Sequence, residues 1–189
     1  MQLGFFGEVR RRLVDDETGC ITYRPQFLSE QEALDAFGAL HGGVVWRGER
    51  RWMYDREVDV PRLTAHYVLG EPMPEPLPAL FVKVRDVVGA RFNAVGLNLY
   101  RDEHDSVAPH NDHLNEIVEA QPIALLSLGA TRLMTIRSKV KPARILDIEL
   151  APGSLLTMSH RTQRTYDHGI PKQRQKIGPR MSVVFRVRP

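Results

Sequence analysis

The second half of the chain constrains the fold most. From position 92 onward, six short apolar segments follow one another with no helical stretch between them: FNAVGLNLYR, PIALLSLG, TRLMTIRS, RILDIEL, GSLLTMS and MSVVFRV. Gly, Pro and charged residues punctuate them, which is the pattern of strands joined by turns. Strands without crossover helices pair antiparallel, and a sheet of this size must close or fold over itself to bury its apolar face. The segment therefore predicts a jelly roll. Ahead of it, Ser29-Glu30-Gln31-Glu32 has the capping-box form and leads into EALDAFGAL, a helix signature. Residues 78–91 (PALFVKVRDVVGAR) carry Leu80, Val84, Val87 and Val88 at helical spacing. Between these helices, VVWRG, RWMY and TAHYVLG read as short strands. The expected class is α+β, mainly β: one domain over 1–189, with an N-terminal helical and substrate-lid region (1–91) packed on a jelly-roll core (92–189).

Length and composition agree with this. A chain of 189 residues with 42% hydrophobic content can bury one sizeable core. No apolar run approaches the roughly 20 residues that span a bilayer, so no membrane partner is expected. Cys20 is the lone cysteine and cannot form an internal disulfide, which fits a reducing compartment and predicts no disulfide-linked partner. The start, MQLGFFGEVRRRL, places its basic cluster after the apolar part and lacks a small-residue cleavage site, so a cytoplasmic protein is expected. The net charge of +3 hides an asymmetry. Residues 1–131 hold 13 Lys+Arg against 20 Asp+Glu, whereas residues 132–189 hold 13 against 3. The basic half is either a solvated face or a surface for a polyanion such as nucleic acid.

Two constellations carry chemistry. Pro109-His110-Asn111-Asp112 follows the first strand candidate after an acidic loop. On an extended backbone residues i and i+2 share a side, so His110 and Asp112 can face one point. His168, in Tyr166-Asp167-His168-Gly169-Ile170-Pro171, can supply a third ligand, with His160 a weaker rival and His113 facing away. Two imidazoles and one carboxylate leave coordination positions open, as non-haem Fe(II) oxygen chemistry requires. The second constellation is RMSVVFR. Arg180 and Arg186 are an even number of positions apart, so on a strand they leave from one face with Ser182 and Val184, about 20 Å apart at the backbone. Two inward-folding guanidiniums could hold opposite ends of a short dianion. Asn98 and Tyr100 share a face of FNAVGLNLYR and can donate hydrogen bonds to a carboxylate or keto oxygen.

The ordered set of FNAVGLNLYR, His110-x-Asp112, SLGATR, GSLLTM, His168-Gly-Ile-Pro and Arg180-x₅-Arg186 resembles the AlkB family of Fe(II)- and 2-oxoglutarate-dependent dioxygenases, from about Phe92 to Arg188. Val60-Pro61-Arg62-Leu63-Thr64-Ala65 is a weaker match ahead of it. The resemblance implies a double-stranded β-helix, Fe(II) at His110, Asp112 and His168, and 2-oxoglutarate held by Asn98, Tyr100, Arg180 and Arg186. It implies O₂-dependent demethylation of 1-methyladenine- or 3-methylcytosine-type bases in DNA or RNA, releasing formaldehyde, succinate and CO₂, as in repair of alkylation damage. The base would be single-stranded or flipped out. Substrate recognition matches less well. Leu114 stands where DNA-repairing relatives often carry an acidic residue, and the lid after the Pro-Arg segment is short and poor in aromatics. Met53, Tyr54, His66 and Tyr67 are the candidates for the pocket mouth, with core packing the competing role for each. An oxygenase of the same fold acting on a protein side chain or small molecule is the alternative. A non-enzymatic cupin-like module is the third reading, against which Arg180 and Arg186 argue.

Overall fold

All six strand segments expected in the second half form strands in the computed structural model, which describes residues 10–53 and 55–189. In chain order the elements are β1 (Arg11–Asp16), β2 (Gly19–Arg24), α1 (Glu30–Gly43), β3 (Arg47–Met53), β4 (Arg56–Val68), α2 (Leu77–Val88), β5 (Ala94–Tyr100), β6 (Val107–His110), β7 (Ile123–Gly129), β8 (Arg132–Ser138), β9 (Ile145–Leu150), β10 (Leu155–Met158), the short α3 (Thr162–Thr165), β11 (Tyr166–Ile170) and β12 (Arg180–Arg186). A 3₁₀ turn covers Leu114–Glu116. The strands form an eight-stranded sheet in the order β1-β2-β10-β7-β12-β5-β4-β3 and a four-stranded sheet in the order β6-β11-β8-β9. Every paired neighbour runs antiparallel. This is the jelly-roll architecture.

Strand alternation divides the core in two. On β12, Met181, Val183 and Phe185 pack into a cluster with Ala33, Ala36 and Leu40 of α1 and Leu80, Phe81 and Val84 of α2. The intervening residues point between the sheets, where Val184 joins Leu125, Met134, Ile136 and Ile170. One strand thus feeds the helical layer with odd positions and the interior with even ones. Each fully buried Leu or Phe contributes about 2 kcal/mol, and Phe81 meets Phe185 edge-on at 5.2 Å.

The helices form for local reasons. Ser29 Oγ accepts the Glu32 N–H at 3.2 Å and the Glu32 carboxylate accepts the Ser29 N–H at 2.7 Å, so the expected capping box closes. Helix α2 buries Leu77, Leu80, Phe81 and Val84, while Val87 of the expected face is exposed. It stops at Gly89, whose φ of 74° is left-handed backbone that glycine adopts without strain.

The region between the helices departs from the expected three short strands. It is one long hairpin, β3–β4, whose register jumps where Gly48 opposes Leu63 and Arg50 opposes Asp59. Pro61 sits in that irregularity, where its missing N–H breaks no ladder bond. Strands β1, β2, β6 and β11 were not expected. RRLVDD, VAPH and YDHGI lack apolar alternation, and pairing with neighbours supplies what their own sequence does not.

Candidate metal centre

A cavity of about 1510 Å³ is lined by both sheets and by the β3–β4 hairpin. His110, Asp112 and His168 all line it, as do Asn98, Tyr100, Arg180 and Arg186. His66 and Tyr67 line it too. Met53 ends β3, its side chain is outside the described atoms, and Tyr54 lies outside the described residues. His113 borders the cavity, whereas His160 is buried away from its lining.

Strands β6 and β11 bring the two imidazoles together. His168 stands directly across from His110 in the ladder, with ring centroids 4.6 Å apart. The His110 Nδ1 lies 2.9 Å from the Ala108 carbonyl oxygen. A carbonyl only accepts, so Nδ1 carries a proton, and the lone pair of the neutral tautomer that this bond selects is on Nε2. His168 is 7% exposed. Burial and then the adjacent His110 push its pKa down to about 4, against the pull of Asp112. It is therefore neutral near pH 7, the form that ligates metals.

Asp112 lies beyond the end of β6. Its carboxylate accepts from Arg186, Nη2 to Oδ1 at 2.8 Å and Nε to Oδ2 at 3.2 Å. Burial pushes this carboxyl up, the charge and hydrogen bonds of the Arg186 guanidinium lead the opposing pull, and the group titrates below the ordinary carboxylate range. Among the described residues no three His, Cys, Asp or Glu side chains close into a metal-holding group: the imidazoles meet, while Asp112 is engaged by Arg186. The donor chemistry nonetheless fits Fe(II). An ionised carboxylate has about four lone-pair sites, so the Arg186 fork leaves acceptor capacity over.

Arg180 is 0% exposed. Its Nε donates to Ser127 Oγ at 3.1 Å, yet Nη1 and Nη2 have no partner. Burial lowers its pKa to about 10, which still leaves it cationic at neutral pH. An unpaired buried cation is costly, and a carboxylate inserted from the cavity would satisfy both nitrogens in the fork geometry arginine favours. The guanidinium lies 5.2 Å from the centroid of Tyr100, a buried phenol whose pKa burial raises. Asn98 Oδ1 accepts from Arg62 Nε at 2.9 Å, and its amide nitrogen lies 3.4 Å from Ser182 Oγ. The two arginines of RMSVVFR therefore play unlike parts. Arg180 presents two free N–H-bearing atoms, while Arg186 grips Asp112.

Sequence reasoning missed several neighbours. Arg132 is fully buried and donates to the carbonyls of Asp102 (2.9 Å), Asp105 (2.9 Å) and Pro171 (2.8 Å). It thereby ties the loop before β6 to the end of β11, and sits 5.7 Å from the Tyr100 ring centroid. Gln163 accepts the Asp112 N–H at 3.0 Å. Trp52, 73% exposed on the hairpin after Arg50-Arg51 and outside the cavity lining, is the missed residue with a visible signal in the sequence.

The profile of the 2OG-Fe(II) oxygenase superfamily matches residues 48–186. Alpha-ketoglutarate-dependent dioxygenase alkB homolog 3 of Bos taurus is 32% identical over 182 residues, covering 86% of this chain and 64% of that protein. DNA oxidative demethylase ALKBH2 of Bos taurus is 36% identical over 124 residues, covering 60% of this chain and 45% of that protein. The chain thus spans less than two thirds of either curated relative. The solved structure of OsALKBH1 matches in fold with a TM-score of 0.64 at 14% identity, over 94% of this chain and 100% of that one. With the jelly roll and the histidine-carboxylate-arginine cavity described above, these likenesses show that the chain belongs to the 2OG-Fe(II) oxygenase superfamily, in its AlkB family.

Proposed function

We propose that this chain is an Fe(II)- and 2-oxoglutarate-dependent oxygenase that removes N-methyl groups from 1-methyladenine- or 3-methylcytosine-type bases in DNA or RNA, as in repair of alkylation damage. The observation that carries the reading is the pair of unpartnered Arg180 Nη atoms in a cavity that also holds two facing imidazoles and an ionised carboxylate. The named relatives, an alpha-ketoglutarate-dependent dioxygenase and a DNA oxidative demethylase, support it.

His110, Asp112 and His168 would hold Fe(II), and Arg180 would take a carboxylate of 2-oxoglutarate. When bound with O₂, this pair supplies the oxidation of a methyl C–H, with 2-oxoglutarate leaving as succinate and CO₂ and the methyl group as formaldehyde. The chain's own groups do the rest. The Ala108 carbonyl holds His110 in the tautomer that presents Nε2. Arg186 keeps Asp112 ionised and fixes its plane. Asn98 and Ser182 add polar groups beside the anion. Ile123, Leu125, Met134 and Met158 line the cavity with apolar surface that excludes water. At the outer end, Arg47 borders the cavity and the β3–β4 hairpin carries Trp52 and Arg56, an exposed aromatic and a cation that suit a stacked base and its phosphates.

Succinate formation by the protein with Fe(II) and 2-oxoglutarate tests this. A single-stranded oligonucleotide carrying 1-methyladenine or 3-methylcytosine should stimulate it over the unmethylated strand, and the stimulation should fall steeply with salt. If neither single- nor double-stranded methylated oligonucleotides stimulate it, the substrate assignment fails.

A further inference from the structure

The ladder that aligns the two imidazoles ends before it reaches the carboxylate. Strands β6 and β11 share only the pairs His168–His110 and Ile170–Val107, with an irregularity between them. Asp112 stands two residues past the end of β6, where no strand partner fixes its backbone. Its N–H is instead accepted by Gln163 Oε1 at 3.0 Å. Gln163 is 1% exposed and belongs to α3, the turn that runs directly into β11 and His168. The far end of its amide is also fixed. Nε2 donates to Thr162 Oγ1 at 3.2 Å, and that hydroxyl donates to the Ser159 carbonyl at 2.6 Å.

A second tie runs beside the first. Lys139 Nζ lies 3.0 Å from Asn111 Oδ1, 3.3 Å from the Gln163 carbonyl oxygen and 3.3 Å from Asp167 Oδ1. Two of the ammonium's three N–H donors find acceptors in Asn111 and Gln163, and Asp167 pairs with its charge. Asn111 precedes Asp112, and Asp167 precedes His168. One cation therefore grips the residue before each of two cavity-lining donors, as well as the turn between them. Asn111 in turn donates from Nδ2 to the Asp112 carbonyl at 3.0 Å.

We propose that Gln163 and Lys139 form a strap that sets where Asp112 stands relative to His168, and thereby sets the metal affinity of the site. This rests on the reading of Asp112 and His168 as ligands. Both are positioning residues and touch no reacting atom. The strap complements Arg186, which holds the same aspartate by its carboxylate, so that backbone and side chain are fixed from opposite partners. Groups that orient metal ligands in this way typically govern affinity 10- to 100-fold.

Mn(II) titrated calorimetrically into the metal-free protein tests the strap. Gln163→Leu removes the acceptor of the Asp112 N–H and should raise the Mn(II) dissociation constant roughly 10- to 100-fold. Lys139→Met cuts the second tie at a half-exposed position and should raise it about 10-fold. Co(II) bound to either variant should show a visible absorption spectrum altered from that of the parent protein, a change that a packing role alone would not produce. If Gln163→Leu does not fold, Lys139→Met decides. Parent-like Mn(II) affinity and Co(II) spectra in the folded variants overturn the strap. A parent protein that binds no Mn(II) overturns the ligand reading beneath it.

Discussion

Arg186 grips Asp112 through two nitrogens, with Nη2 2.8 Å from Oδ1 and Nε 3.2 Å from Oδ2, although 74 positions separate them in the chain. The last residue of β12 thus fixes the carboxylate of the loop that follows β6 of the opposite sheet. Arg186→Met should leave that carboxylate buried without its cation and weaken Mn(II) binding by about tenfold or more. Arg186→Lys keeps the charge without the two-point grip and should recover only part of the loss. Equal Mn(II) affinity in all three proteins would show that the pair does not orient a ligand.

Arg180 separates function from stability. Its two unpartnered Nη atoms make it a liability to the ligand-free fold. Arg180→Met should therefore leave the thermal midpoint of the metal-free protein unchanged or raised. The same change should weaken 2-oxoglutarate binding more than about 100-fold, about 3 kcal/mol. A lowered midpoint with intact 2-oxoglutarate affinity would assign this arginine to the scaffold.

His168 predicts a pH dependence. Its folded pKa of about 4 lies below the ordinary value of 6.5. Between these values the unfolded chain binds the proton and the folded one does not, so stability is full above pH 6.5 and declines as pH falls to about 4. The loss is on the order of 3 kcal/mol. Urea unfolding of the metal-free protein from pH 7 to 4 should show this decline, and His168→Gln should flatten it by that amount. Parallel pH profiles would contradict the buried neutral imidazole.

How much of this was legible in the sequence depended on periodicity. The even spacing of Arg180, Ser182, Val184 and Arg186 put all four on the cavity side of β12, because a strand repeats every two residues whatever surrounds it. Asn98 and Tyr100 followed the same rule on β5. The strands that carry the histidines were not legible, since VAPH and YDHGI interrupt apolar alternation with Pro, Asp and Gly. The pairing of Arg186 with Asp112 had no signal either, because it depends on the closure of two sheets rather than on any local pattern. Gln163 and Lys139 look like ordinary surface polar residues until the turn before β11 brings them against Asp112 and Asn111.

Arg132 shows what such a hidden residue is worth to the fold. Arg132→Leu would leave the carbonyls of Asp102, Asp105 and Pro171 without the donors they now have. It should destabilise the protein by about 3 kcal/mol or more, read as a lowered urea midpoint at unchanged slope. An unaltered midpoint would mean that water replaces the guanidinium.

The most direct test is the mass of a single-stranded oligonucleotide bearing one 1-methyladenine, incubated aerobically with the protein, Fe(II) and 2-oxoglutarate. The account predicts a product lighter by one methylene, with formaldehyde and succinate released in equal amount to it, and no such product from Asp112→Ala. An unchanged mass from a protein that binds both Mn(II) and 2-oxoglutarate would contradict it.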